Sequence, residues 1–431
     1  MRFSGFFQRF CSVIMRTGVR KSAQSNRGGD KREEMETVEQ SKNTPKITLK
    51  KGRDKAIRNR HHWIFSGAVQ EPLPAFENGS VLPVYSYEGD LLGSAYCNTK
   101  TSIFGRMISF DDTPPEEAIK QHIIQAKELR NRLFDSAITN AYRIINGEGD
   151  LLPGLIIDKY DSVLVVQITT LGMEKLKPLI IDVLKDQFHP ECIYEKSDVP
   201  ARSEEGLKPV KGILYGTLPE KVRIKENGIT FLVDSVNGQK TGFYLDQREM
   251  RKLIGTLSSG KRVLDCFAYT GGFSVYAAGN DAATVDLIDS SASAMELAKL
   301  NCSLNKQTAR CNFLTDNVFT FLREHPLNYD IIILDPPAFA KRKSDVIKAC
   351  RGYKDINRLA FQKMPPNSLL LTCSCSYYID DSLFQKVIFE AAVEAQRTVR
   401  IIQKHHLAPD HPINVCHPEG NYLKSLLLYV E

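Results

Sequence analysis

The chain has 431 residues, 42% of them hydrophobic, and 57 lysines and arginines against 51 acids leave a net charge of +6. That length exceeds one ordinary core and asks for two or three domains, while so small a charge excess by itself implies no nucleic-acid partner. No stretch approaches the run of about eighteen apolar residues that a membrane span needs. The ten cysteines lack C-x-x-C spacing, which argues against a disulfide framework and fits a reduced, cytoplasmic protein.

Residues 1–45 stand apart. "MRFSGFFQRFCSVIMRTGVRKSAQSNRGG" carries Arg, Ser and Phe with no acid before Asp30, the composition of an organelle transit peptide. Met35 then opens a polar leader, "METVEQSKNTP", so a spurious upstream start reads equally well. From Lys46 to about Phe110, "KITLK", "VLPVYSY", "LLGSAYCN" and "SIFGRMISF" read as short strands, enough for a small barrel. Lys46, Lys50, Lys51, Arg53, Lys55, Arg58 and Arg60 face the single acid Asp54, and the only tryptophan, Trp63, follows in "RHHWIFSG". A positive patch with an exposed ring suits RNA, whose phosphates meet the cations while its bases stack. The plain alternatives are a solvated charged face and a core role for Trp63, Ile64 and Phe65.

"DDTPPEEAIKQHIIQAKELRNRL" opens with helix-start signals and acids in its first turn, which predicts a helix. "AYRIING", "LLPGLIIDKY" and "SVLVVQIT" read as strands, "MEKLKPLIIDVLKDQF" as an amphipathic helix, and "KVRIKENGITFLVD" as a hairpin turning at Asn227-Gly228. The segment 115–240 is expected to be a compact α+β module without a catalytic constellation.

From about Thr241 the texture changes. "KRVLDCFA", "ATVDLID", "CNFLTDN", "YDIIILDPP" and "NSLLLTCS" are apolar runs separated by helical stretches. That pattern predicts an α/β domain with a parallel sheet covered on both faces, whose ligands bind beyond the carboxyl ends of the strands.

The chemistry-bearing residues fall at those ends. After the first strand, Gly271 and Gly272 permit close backbone approach at a helix start, but the G-x-G-x-x-G of a dinucleotide site is absent. Asp265 there would suit a ligand amine, Asp289 a pair of ribose hydroxyls, and Asp316 an adenine amino group. Each acid alone is as readily a helix N-cap. Three at successive strand ends favour S-adenosylmethionine over NAD. The fourth strand ends in "DPPAF", where two prolines stiffen a loop that would hold Asp335 and Phe339 against a flipped base. The next strand ends in "TCSCS", which should bring a thiol near Asp335. A thiolate adds to cytosine C6 and makes C5 nucleophilic, and cysteine both attacks and leaves well. Cys373 is expected to face away from Cys375, so that only one of them reaches the base. Packing is the plain reading of either thiol. His405, His406, His411, Cys416 and His417 of "HHLAPDHPINVCH" match no familiar zinc spacing, and no metal is expected.

Together, "RHHWIFSGAV", "GQKTGFYLDQREMR", "DCFAYTGGFSVYA", "IDSSASAMELAKLN", "LDPPAFAKRKSDVIKACRGYKDIN", "TCSCS" and "DHPINVCHPEGNYLK" resemble the bacterial ribosomal RNA large subunit methyltransferase I family, which makes 5-methylcytosine in 23S rRNA. The resemblance runs from about Lys46 to the end of the chain. It implies a PUA-like barrel at 46–114, a central α+β domain at 115–240 and a class I, Rossmann-like methyltransferase domain at 241–431. The cofactor implied is S-adenosylmethionine, and the partner 23S rRNA or a large-subunit precursor. Asp265, Tyr269, Gly271, Gly272, Asp289 and Asp316 would surround the cofactor, with Tyr244 and Gln247 lining the approach. The family's Ser-Cys-Ser falls on Ser374, Cys375 and Ser376, which makes Cys375 the nucleophile, assisted by Asp335. Pro336, Phe339, Arg351 and Trp63 would meet the RNA. His62 and Thr99 stand where prolines are usual, a departure confined to the barrel. Guanine N-methylation, which needs no thiol, and an RNA-binding assembly factor with a decayed catalytic domain are the rival readings. Monomer and homodimer both stay open.

Overall fold

Alternation of apolar residues decides how the C-terminal sheet is covered. In the computed structural model, which describes residues 45–431, Ile331 and Ile333 enter the core on one face of the sheet while Ile332 and Leu334 enter the core on the other. Both faces of a parallel strand are buried, so a continuous apolar run is what such a strand requires. The expectations placed on residues 1–44 lie outside the described residues.

The strands fall into four groups. Ile47–Thr48 (β1), Trp63–Phe65 (β2), Val81–Tyr85 (β3), Leu91–Cys97 (β4) and Ile103–Ser109 (β5) form a five-stranded sheet ordered β1-β3-β4-β5-β2, closed around Ile47, Val84, Ala95 and Met107. The central sheet runs β10-β9-β8-β7-β6, from Ala141–Asn146 (β6), Leu155–Tyr160 (β7), Val163–Ile168 (β8), Cys192–Ser197 (β9) and Val210–Gly216 (β10). Helix Pro115–Leu133 contributes Ile119 and Ile123 to the same core as Ile144, Ile157 and Leu164. Val222–Glu226 (β11) and Ile229–Val233 (β12) make the hairpin, with Asn227 at φ 51° and Gly228 at φ 82° in its turn. Those left-handed angles are what an Asn-Gly hairpin turn supplies.

The C-terminal sheet has seven strands: Arg262–Cys266 (β13), Thr284–Asp289 (β14), Cys311–Thr315 (β15), Ile331–Leu334 (β16), Ser368–Ser374 (β17), Val399–His405 (β18) and Lys424–Val430 (β19). Their order is β15-β14-β13-β16-β17-β19-β18, with β19 antiparallel between β17 and β18. Neighbours β14-β13-β16-β17 are parallel, so the loops that follow them meet at one edge of the sheet.

Three features depart from the sequence reading. The stretch read as one helix over 173–188 is two, Leu171–Lys175 and Lys177–Phe188; Pro178 lacks an amide to continue the first. The strands β2, β9, β10, β18 and β19 carried no clear signal. The hairpin β11–β12 contributes Val222, Ile224, Phe231 and Val233 to a core that also holds Val263, Ile331 and Leu371 of the C-terminal sheet. Tyr160, Val163 and Tyr194 of the central sheet enter the same core.

A buried ion network sits in this join. Arg248 and Arg251, on helix Arg248–Leu257, both contact Glu226 at the end of β11, at 3.3 and 2.7 Å. Arg248 also reaches Asp410 at 3.1 Å. The Asp410 carboxylate accepts from the Arg143 amide at 2.9 Å, and its carbonyl accepts from Arg130 at 2.8 Å. Removing one partner strands a charge without water. Asp410→Ala is expected to lower the free energy of unfolding by about 3–5 kcal/mol in urea titration, and a loss under about 1 kcal/mol would show that the network does not join these elements.

Candidate active site

The loops after β13, β14, β15, β16 and β17, with the segment 239–251, enclose a cavity of about 290 Å³. Tyr244, Gln247, Tyr269, Gly272, Asp289, Asp335, Pro336 and Cys375, all singled out in the sequence, line it. Gln239, Lys240, Asp246, Phe267, Asn317 and Phe319 line it too, and the sequence reading missed them. The first three sit in or beside "GQKTGFYLDQ", a stretch quoted for its resemblance but given no chemistry beyond Tyr244 and Gln247.

One half of the cavity is built by the loop after β13. Phe267, Tyr269 and Gly271 adopt left-handed φ values of 62°, 49° and 77°, which costs of order 1 kcal/mol or more for each non-glycine residue. The Tyr269 amide donates to Asp289 at 3.0 Å, and its hydroxyl accepts from the Gln239 amide at 2.7 Å, so the strained turn is held from two sides. A Cβ on Gly271 would meet Ala298 at 3.2 Å and one on Gly272 would meet Arg251 at 3.0 Å. Asp289 also accepts from the Ser291 amide at 2.8 Å, and a carboxylate has further lone pairs for ribose hydroxyls. Asp265 is buried beneath this loop and accepts from Ser274 Oγ at 2.6 Å. Burial pushes its carboxyl up to about 7, an environment that a ligand ammonium would reverse.

The hydroxyl of Thr270 and the side-chain carbonyl of Gln247 are buried without a partner, and both residues line the cavity. Unpaired buried polar atoms of this kind call for a bound polar group. With the glycine cradle, the Asp289 carboxylate and the aromatic wall of Phe267 and Phe319, these residues fit S-adenosylmethionine. Asp316 needs correction. It is exposed, accepts from the Asn317 amide at 2.6 Å, and is not part of the wall, which Asn317, Val318 and Phe319 make instead. Asn317 caps the helix Val318–Glu324, so this strand end follows the helix-cap alternative with its neighbour as the cap.

The other half holds the thiol. Cys375 follows the last residue of β17 and lies with its sulfur 4.0 Å from the Pro336 carbonyl. The expectation that Cys373 faces away from it fails, because residues two apart on a strand share a face. Depth separates them: Cys373 is fully buried with Leu371 and Ile333, while Cys375 reaches the cavity. Ser376 locks the two strand ends together, accepting from the Ala340 amide at 3.1 Å and pairing with the Tyr353 hydroxyl at 3.0 Å. Asp335 accepts from Gln247 at 3.1 Å; burial and then the Asp246 charge raise its carboxyl to about 7. Burial also pushes the Cys375 thiol up to about 11, with Lys240 the strongest charge pulling the other way and Asp335 opposing it.

Three expected RNA contacts are placed elsewhere. Phe339 stands behind the cavity wall, packed on Tyr353 at 4.5 Å and Phe319 at 5.9 Å, so its ring supports Phe319, which lines the cavity. Arg351 is exposed in a shallow outer groove with Arg323, Lys354 and Arg358, and Phe319 lines that groove as well. Trp63 is not an exposed ring. Its indole donates to Glu148 at 2.8 Å and packs edge-on to His417 at 4.6 Å, while its neighbour Phe65 is 51% exposed. Beside it, His61, His417 and Glu419 place one potential ligand atom each within 4.8 Å of one another. The Trp63 amide donates to His61 Nδ1, which puts the proton of neutral His61 on Nε2, 3.4 Å from Glu419. These contacts join the barrel to the C-terminal segment.

The strand order, the glycine cradle and the acidic strand ends define an S-adenosylmethionine-dependent methyltransferase joined to a small RNA-binding-type barrel. Residues 210–428 match the S-adenosylmethionine-dependent methyltransferase family and residues 47–110 the PUA-like domain. Ribosomal RNA large subunit methyltransferase I from Aliivibrio fischeri is 43% identical over 390 residues, covering 89% of this chain and 98% of that protein. The protein of the same name from Vibrio cholerae is 43% identical over 391 residues with the same coverage. The chain belongs to the ribosomal RNA large subunit methyltransferase I family. A Streptococcus mutans protein described as a SAM-dependent methyltransferase superposes with TM-score 0.76 at 26% identity, over 90% of this chain and all of that one. A methyltransferase solved in complex with SAH does so with TM-score 0.77 at 25% identity and the same coverage. Among the described residues no helix is long and apolar enough to cross a membrane.

The two raised carboxyls make a stability prediction. The value in the fold, about 7 for Asp335, lies above that of an unfolded chain, about 3.9. Such a group favours the fold fully below the unfolded value, and that contribution is lost as pH rises through 7. Between pH 4 and 7.5 the melting temperature of Asp335→Asn, without ligand, should therefore fall less than the parent's, by several degrees. Parallel curves would place Asp335 in water.

Proposed function

We propose that this protein methylates C5 of a cytosine in 23S ribosomal RNA through a covalent adduct between Cys375 and C6. The observation that carries the reading is the convergence of Cys375 and Asp335 in one cavity with the cradle formed by Asp289, Tyr269 and Gly272. In this reading 46–114 and 115–240 grip the RNA, and 241–431 carries the chemistry. The protein acts in the cytoplasm, where its substrate, naked rRNA or a large-subunit precursor, is found. Arg351, in a groove where Arg323 and Arg358 are paired with Asp355, and the exposed Lys341, Arg342 and Lys343 supply phosphate contacts.

A cytosine turned out of its stack enters against Pro336 and Phe319. One Asp335 oxygen accepts from the exocyclic amine, and the protonated carboxyl, available near neutral pH, donates to N3. With N3 protonated, C6 is electrophilic, and the Cys375 thiolate forms the S–C6 bond while the ring electrons move to C5. Asp265, Asp289 and the glycine turn would hold S-adenosylmethionine, which supplies the electrophilic methyl. C5 then gives up its proton to a base, the S–C6 bond breaks, and the electron pair returns to sulfur as N3 hands its proton back to Asp335. The net change replaces the C5 hydrogen with a methyl group and releases one proton. A thiolate suits both halves because it attacks and leaves well.

Purified protein with labelled S-adenosylmethionine and undermethylated 23S rRNA should put label into 5-methylcytidine. Cys375→Ala should lower that rate by more than about a thousandfold, as removal of a nucleophile does. Label in a methylguanosine, or activity that survives without Cys375, would overturn the thiol mechanism.

A further inference from the structure

The reading of Cys375 leaves a difficulty, since a buried thiol beside two carboxylates is poorly placed to ionise. Among the charged groups around it, Asp335 comes from the loop after β16 and Asp246 from the turn Leu245–Gln247, and both oppose a thiolate. Lys240 and Lys424 favour it; the hydroxyls of Tyr244 and Tyr353 and the Cys373 thiol are nearby and uncharged. Lys424 is buried at the start of β19 with its ammonium spent on the carbonyls of Ser376 and Tyr422, at 2.7 and 2.8 Å. Lys240 lines the cavity itself.

The fold goes to some length to put Lys240 there. Its φ is 48°, a conformation disfavoured for a lysine. The residues around it are pinned by other domains: Thr241 Oγ1 donates to Asp158 at 2.6 Å and meets the Tyr160 hydroxyl at 2.8 Å, and Lys196 donates to the Gly238 carbonyl. The ammonium is aimed by aromatic faces. It lies 4.4 Å from the centroid of Tyr244 and 5.5 Å from that of Tyr422, with Asp246 at 2.6 Å. Strain beside a cavity, held in place by contacts from elsewhere in the chain, is a mark of function.

We propose that the Lys240 ammonium, in the wall of the same cavity, favours the thiolate form of Cys375, which makes Lys240 a positioning residue for the nucleophile. The inference rests on the assignment of Cys375 above. The central domain then contributes to the chemistry through its hold on Lys240. Ionisation releases the thiol proton to solvent, and the ammonium stays protonated, lowering the energy of the sulfur anion by charge alone.

The test reads the thiol directly. Full-length protein without ligand is alkylated with iodoacetamide between pH 7.5 and 9.5, and modification of the Cys375 peptide is followed by mass spectrometry. Below its pKa a thiol reacts in proportion to its thiolate fraction, so loss of a stabilising cation appears directly as a slower rate. Lys240→Gln is expected to slow Cys375 alkylation by about tenfold at each pH, and Lys240→Arg, which keeps the charge, to stay within about twofold of the parent. Lys240→Met keeps the aliphatic packing on the two tyrosines and carries the test if the glutamine variant does not fold. Equal rates in the parent and the folded neutral variant would overturn the inference. Methylation that survives Cys375→Ala would instead remove the thiol mechanism, whatever the alkylation rates, so the two failures are distinguishable.

Discussion

The structure depends on a set of buried arginines paired with buried carboxylates. Arg143, Arg248 and Arg251 are each within hydrogen-bonding or ion-pair reach of a buried carboxylate, at Asp158, at Glu226 and Asp410, and at Glu226 respectively. These carboxylates come from the central sheet, the hairpin and the C-terminal segment, so the network ties together parts of the chain distant in sequence. A charge in such a place is tolerated only while its partner stays fixed. The network therefore specifies one relative arrangement of the central and C-terminal domains. Asp158, besides pairing with Arg143, accepts from Thr241 beside the cavity, which carries that arrangement into the site.

Burial explains the site's electrostatics. Asp265 and Asp335 sit where burial opposes charge, and each is driven to titrate near neutrality. A carboxyl that is half protonated near pH 7 can donate to a ring nitrogen or become an anion beside an ammonium, according to what enters. The thiol experiences the same penalty in the opposite chemical sense, because its useful form is the anion. Lys240 and Asp246, paired at 2.6 Å, line the same cavity as Cys375 and Asp335.

Motifs that looked functional divide on inspection. In "DHPINVCHPEG", whose histidines and cysteine match no familiar zinc spacing, Asp410 is an ion-pair partner of Arg248 and His411 hydrogen-bonds to Asp410 at 3.1 Å. In "FYLDQREMR", Tyr244 and Gln247 line the cavity, Arg248 turns inward to the network, and Arg251 both lines the cavity and pairs with Glu226. One helix start thus supplies both cavity wall and structural anchor.

What the sequence by itself determined was the part governed by local rules. Apolar runs broken by helical stretches gave the parallel sheet, because a strand buried on both faces must be apolar throughout. Acids and glycines at strand ends located the cavity, because parallel strands deliver their ends to one edge. The tertiary structure decided what depends on partners distant in the chain. Strands β18 and β19 exist as such because β19 finds β17 as well as β18. Trp63 is enclosed by Glu148 and His417, which lie far along the sequence, and Asp316 gives its place to Asn317 because a helix cap fixes the turn. Cys373 and Cys375 differ in depth, not in face, and depth is set by what packs above a strand end. Lys240 gave no local sign of a role, since its place in the cavity wall follows from contacts made by the central domain to the residues around it.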